Sequence, residues 1–177
     1  MDRRNACATA AVIGGLLVTT TTSPVAAGAP GTETGALCTI ESAIVLSSGV
    51  GLIPPTGPAT FTSGPRPGTI TCQGIVKGRT PTGPGTYRMD GVFGVGPGGG
   101  DTCLFGAGYG TYSITIPTAG GPVTVTEPFV FYGGAVGPFT APSLSGLFEI
   151  VPAAGADCLG TPVSAGAFSA QGPLTGR

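Results

Sequence analysis

The chain has 177 residues, a net charge of −1, 41% hydrophobic residues and only 8% charged ones, so it offers no basic surface for nucleic acid or anionic membranes. It contains no histidine, which excludes the Ser-His and Cys-His nucleophilic systems and the usual zinc and iron sites. Glycine (34) and proline (18) are abundant, but a chain this apolar and this poor in charge reads as folded and turn-rich, not disordered.

The chain opens like an exported protein. Met1–Asn5 is a basic start, Ala6–Val18 is an apolar run too short to span a bilayer, and Val25-Ala26-Ala27 is a small-residue cleavage motif. Residues 1–27 are therefore expected to be a signal peptide, 28–36 a flexible leader, and 37–177 a single secreted β-domain with no membrane span. Loss of Cys7 leaves Cys38, Cys72, Cys103 and Cys158, an even set that predicts two disulfides in an oxidising compartment. Without a C-x-x-C pair or a histidine, a zinc site is disfavoured, and neither a metal nor a cofactor is expected. Three connectivities are open. Cys38–Cys72 with Cys103–Cys158 is favoured, because the first two lie on apolar faces of early strands and the last two follow an aspartate at strand starts.

Alternation predicts a strand over Leu37–Leu46, with Cys38, Ile40, Ser42, Ile44 and Leu46 on one side. Ser47–Ala59 reads as a loop, Thr60–Ser63 as a short edge segment and Gly64–Gly68 as a turn. Thr69–Lys77 is the next strand, with Ile70, Cys72 and Val76 facing one way. The turn cluster Gly78–Gly85 leads to Thr86–Gly94, with Tyr87, Met89 and Phe93 inward and Arg88 and Asp90 outward. Val95–Gly100 is a Gly-Pro loop. Gly96–Asp101 is Gly-rich, but no Lys-Ser/Thr follows it, so it is no phosphate cradle.

Asp101–Gly134 reads as one long hairpin, turning at Thr118–Gly121 between Pro117 and Pro122. With Ala119-Gly120 as the loop, Ile116 pairs with Val123, Ile114 with Val125, Tyr112 with Glu127, Gly110 with Phe129 and Gly108 with Phe131. Gly106, Gly108 and Gly110 then share one face, where Phe129 and Phe131 lie across bare backbone. The opposite face carries a solvated ladder of Ser113, Thr115, Thr124 and Thr126. Towards the open end that face turns apolar, with Phe105, Tyr109, Val130 and Tyr132, and calls for a cover: the termini, a second sheet, or another subunit in a homo-oligomer.

Gly133–Pro142 reads as a connection. Leu144–Val151 is a strand with Leu144, Gly146, Phe148 and Ile150 inward and Glu149 outward, Pro152–Asp157 turns the chain, and Thr161–Leu174 is a weak last strand anchored by Val163 and Phe168. Seven to eight strands with frequent turns predict a single antiparallel β-barrel, or alternatively a β-sandwich. The coiled hairpin and its strand glycines favour the barrel. The run GDTCLFGAGYGTYSITIPTAGGPV, with GTYRMDGVFG, LSGLFEI and Asp157-Cys158, resembles uncharacterised small secreted all-β proteins of actinobacteria. More remotely, the glycine-interrupted strands are similar to the barrels of allene oxide cyclases and dirigent proteins. That second resemblance implies only the barrel, since no catalytic motif of those proteins matches residue by residue.

The carboxylates Glu33, Glu41, Asp90, Asp101, Glu149 and Asp157 fall on predicted outer faces or in loops. Asp101 and Asp157 are expected to cap turns through backbone N–H groups, with a two-loop calcium site as the alternative. Glu127 differs: the hairpin register puts it on the apolar face beside Tyr112, where a carboxylate needs a partner. Either Tyr112 supplies it or Glu127 meets a ligand inside an apolar cavity, so Tyr112, Glu127, Phe129 and Phe131 form the candidate ligand-binding set. No catalytic residue is assigned. The favoured expectation is a secreted, non-enzymatic β-domain, structural or binding an apolar small molecule or protein partner. The alternatives are a cyclase- or dirigent-type barrel enzyme and a secreted protease inhibitor presenting Ser63–Gly68.

Overall fold

Period-two alternation of buried and exposed side chains runs through almost every segment of the structure, a computed structural model that describes residues 35–51, 58–94, 102–103 and 105–176. The expected signal peptide, most of the leader with Glu33, the loop Val95–Gly100 and Asp101 lie outside the described residues. The strands are β1 Gly35–Val50, β2 Ala59–Thr62, β3 Gly68–Gly74, β4 Gly85–Phe93, β5 Ala107–Ile116, β6 Val123–Tyr132, β7 Val136–Thr140, β8 Ser145–Pro152 and β9 Val163–Thr175. Each pairs antiparallel with its neighbour in the sheet.

β2 and β3 fill a single strand position. Both lie between β1 and β4: β3 pairs with β1 over Ala36–Glu41 and with β4 over Gly85–Tyr87, while β2 takes Val45–Leu46 and Asp90–Phe93. The break between them is pinned by the buried Ser63, whose N–H donates to the Met89 carbonyl at 2.9 Å and whose Oγ accepts the Met89 N–H at 3.2 Å. Eight strand positions result. β9 returns along β1 from Gly35↔Thr175 to Val45↔Ala165, so the sheet closes as an eight-stranded barrel and no sandwich forms. Eight strands leave a bore that inward side chains can just fill.

The β5–β6 hairpin has the expected register at every pair from Ile116↔Val123 to Gly108↔Phe131. Its turn closes with Gly121 N–H donating to the Thr118 carbonyl at 3.0 Å, and the positive φ falls on Gly121. On the outer face Thr115 and Thr124 hydroxyls pair at 3.1 Å, as do Thr126 and Ser113. Phe131 does lie across Gly108. Gly110 has another reason: a Cβ there would strike the Asp90 carbonyl and Gly91 of β4, so two glycines face each other where β4 and β5 approach.

Four elements differ from expectation. β1 runs from Gly35 to Val50, absorbing the end of the leader and part of the expected loop. Val76, although fully buried, sits in the β3–β4 turn, bridged to Arg79, and not in a strand. β7 occupies what reads as a Gly-Pro connection; Pro138 has no N–H to give, and the β6–β7 ladder is limited to Val130↔Thr140 and Phe131↔Phe139. β9 is no weak strand, since it carries the closing ladder.

Both favoured disulfides are present. Cys38–Cys72 joins directly paired residues of β1 and β3, with Cα atoms 4.1 Å apart, and Cys103–Cys158 links the segment before β5 to the turn before β9, at 6.1 Å. Each such bridge contributes about 2–4 kcal/mol.

The glycine contacts generate a controlled test. Gly108→Ala drives a methyl into the Phe131 ring and should cost about 1–3 kcal/mol. Gly83→Ala meets nothing within 4 Å and should stay within about 0.5 kcal/mol of wild type. Equal denaturation midpoints for the two variants would refute the close approach.

Candidate functional site

Inward positions of the strands assemble two adjoining structures inside the barrel, an aromatic-walled cavity and a polar clamp. Ring contacts close a circuit around the bore: Phe131 meets Phe148 edge-on at 5.5 Å, Phe148 stacks on Phe168 at 6.2 Å, and Phe168 on Tyr87 at 6.1 Å. The circuit continues from Tyr87 to Tyr112 at 6.5 Å, to Phe129 at 6.3 Å, and back to Phe131 at 6.1 Å. Phe61 and Phe93 back it from β2 and β4. These are the offset and edge-on arrangements that aromatic quadrupoles prefer.

The circuit lines a cavity of about 90 Å³. Its wall extends from Tyr112 and Leu144 to Val50, Cys103, Ala135 and Val163 at the end where the Cys103–Cys158 bridge lies. Among the described lining residues none carries a charge, and the polar side-chain oxygens are the hydroxyls of Tyr87 and Tyr112. The volume falls below the ~300 Å³ of drug-sized sites and the ~150 Å³ apolar cavity that admits benzene.

Glu127 is not on this wall. It sits behind Tyr112, where Oε2 accepts three hydrogen bonds: from Ser143 Oγ at 2.7 Å, Tyr112 Oη at 2.8 Å and Ser143 N–H at 2.9 Å. Ser143 belongs to the β7–β8 turn, and its carbonyl accepts the Thr175 N–H at 2.8 Å. The clamp therefore holds that turn over the end of the bore, where Leu144 pairs with Leu174 and both are buried. Burial acts to raise the Glu127 carboxyl, but the Ser143 and Tyr112 hydroxyls, the Ser143 N–H and the charge of Lys77 outweigh it. The group stays below the ordinary carboxylate range. Burial pushes the Tyr112 hydroxyl well above its usual value; the bond with Ser143 opposes this and the one with Glu127 adds to it. Glu127 is thus a persistent anion with one oxygen saturated by donors, an arrangement suited to fastening and ill suited to proton transfer.

Of the four candidate ligand-binding residues, Tyr112, Phe129 and Phe131 line the cavity, while Glu127 holds the clamp. Sequence reasoning placed Tyr87 and Phe148 inward and named Phe168 as an anchor, while Phe61 and Phe139 had no such assignment; closure of the barrel brings all five into the same wall. Ser143 had no local signal. Asp157 caps its turn as expected, with Oδ1 accepting the Leu159, Gly160 and Thr161 N–H groups at 2.8–3.1 Å. Those backbone donors, Thr161 first, lower its pKa. No group of three or more potential metal ligands occurs among the described residues. Phe105, Tyr109, Val130 and Tyr132 are 44–71% exposed. Ser63–Gly68 is the short break between β2 and β3, held to Met89 at one end and packed on Ser42 at the other.

No protein-family model, curated protein or solved structure matches the chain.

The clamp has a pH signature. With a folded pKa below the unfolded value of about 4.3, Glu127 adds stability above that value and loses it as pH falls through the folded pKa. Glu127→Gln should cost about 1–3 kcal/mol near neutrality, and its deficit should shrink between roughly pH 5 and pH 3. Thermal melts across that range check the sign, and a deficit that widens in acid would overturn it.

Proposed function

We propose that this chain is an exported, non-enzymatic β-barrel that takes up a small apolar molecule in this cavity. The observation carrying this reading is the aromatic circuit itself. Six rings from β4, β5, β6, β8 and β9 line an uncharged space, in a fold whose interior is the usual place for such ligands. The one carboxylate near the bore is committed to the clamp, which supports a binding role over acid–base chemistry. Export is supported by the two disulfides, by the basic-apolar-small-residue start of the chain, and by the lack, among the described residues, of any helix long and apolar enough to cross a membrane.

Two measurements test this reading. Xenon titration of the ¹⁵N-labelled, disulfide-bonded protein, a probe smaller than benzene and suited to a cavity of about 90 Å³, should shift amide resonances flanking the cavity-wall residues Phe61, Phe131 and Phe148 and leave the Thr115–Thr124 face unmoved. No shift under several atmospheres of xenon would remove the ligand-binding reading. N-terminal sequencing of protein recovered from culture fluid should begin near Gly28, and an intact Met1 there would remove the export reading.

A further inference from the structure

We propose that the Tyr87 hydroxyl is the recognition group of the cavity. It would select neutral molecules that carry one carbonyl or hydroxyl oxygen on a short chain. This deepens the apolar-ligand reading and rests on it. Tyr87 is 4% exposed and lines the cavity, yet its hydroxyl has no hydrogen-bond partner among the described residues. Buried tyrosine hydroxyls usually find a partner, and one that does not calls for an explanation. The contrast with Tyr112 sharpens the point. The two rings stack at 6.5 Å, but the Tyr112 hydroxyl is already committed to Glu127 and Ser143.

Geometry makes Tyr87 a fixed donor. Its ring lies parallel to Phe168 within 3° and is held on β4, whose register with β5 continues on both sides through Thr86↔Thr115 and Arg88↔Ser113. A donor placed in advance on a rigid strand loses little freedom when a ligand arrives. A lone water is a poor occupant, because it needs two to four polar partners and this wall offers one free hydroxyl beside one already engaged. A carboxylate is excluded by the uncharged wall, where an unpaired anion is costly. A neutral molecule with one oxygen and an otherwise apolar body fits both features.

The test compares wild type and Tyr87→Phe in the full disulfide-bonded protein, with acetone and isobutene as probes of nearly equal shape that suit a cavity of about 90 Å³. Comparing proteins for each probe cancels the difference in probe solubility. NMR titration should show acetone affinity falling about tenfold in Tyr87→Phe, and isobutene affinity changing less than about twofold. Free Tyr87→Phe should melt no lower than wild type, since the oxygen removed has no partner to lose. An equal loss for both probes, or no loss for the ketone, overturns the anchor while leaving the apolar-ligand reading intact. A marked drop in melting temperature, or failure to fold, also overturns it, by showing that the hydroxyl is already used. If wild type binds neither probe, the apolar-ligand reading itself falls.

Discussion

An eight-stranded barrel has to fill its own bore, and this chain does so with a few large rings set against bare backbone. It has eight phenylalanines, four tyrosines and no tryptophan, and every phenylalanine except Phe105 contributes to the core. The rings reach across the axis because glycine stands where a side chain would obstruct them, as at Gly108 beneath Phe131 and Gly91 beneath Phe61. The high glycine content that resembles disorder is the complement of the aromatic content. Neither would suffice alone, since aromatics without the glycines would overfill the bore and glycines without the aromatics would leave it hollow.

The parts of the fold legible in sequence were those in which local rules and burial agree. In the β5–β6 hairpin, turn chemistry and alternation select the same register, and from that register the Tyr112–Glu127 contact follows. The disulfide pairing was legible because Cys38 and Cys72 sit on inward faces of strands that could be neighbours. β7 was hidden by Gly137 and Pro138, residues that local rules assign to loops; it is a strand because β8 pairs with it across Val136–Thr140. β9 was undervalued for a related reason. Its inward positions Ala170 and Gly172 are small, and its place is set by pairing with β1 at the far end of the sequence. Ser143 could not be found at all, since its role exists only once the β7–β8 turn folds over the barrel end.

Polar groups inside the barrel are partitioned by position along the axis. At the end covered by the β7–β8 turn, a carboxylate, two hydroxyls and a backbone N–H satisfy one another. Such a network is stabilising because it is complete, and removing any member leaves buried donors or an anion without partners. The clamp adjoins the Leu144↔Leu174 bridge, where both side chains are buried and Leu144 lines the cavity.

Tyr112 belongs to both structures, with its ring in the aromatic circuit and its oxygen in the clamp. Glu127 is thereby held behind the Tyr112 ring and off the cavity wall, which is lined by aromatic and aliphatic side chains that include Tyr87. Sequence places Tyr87 and Tyr112 on equivalent inward positions of neighbouring strands, Tyr87 opposite Ile114 and Met89 opposite Tyr112. The offset is two residues, and of the two hydroxyls it is that of Tyr112 which pairs with Ser143. A tyrosine oxygen that is structural on β5 thus has a counterpart on β4, that of Tyr87, with no hydrogen-bond partner among the described residues.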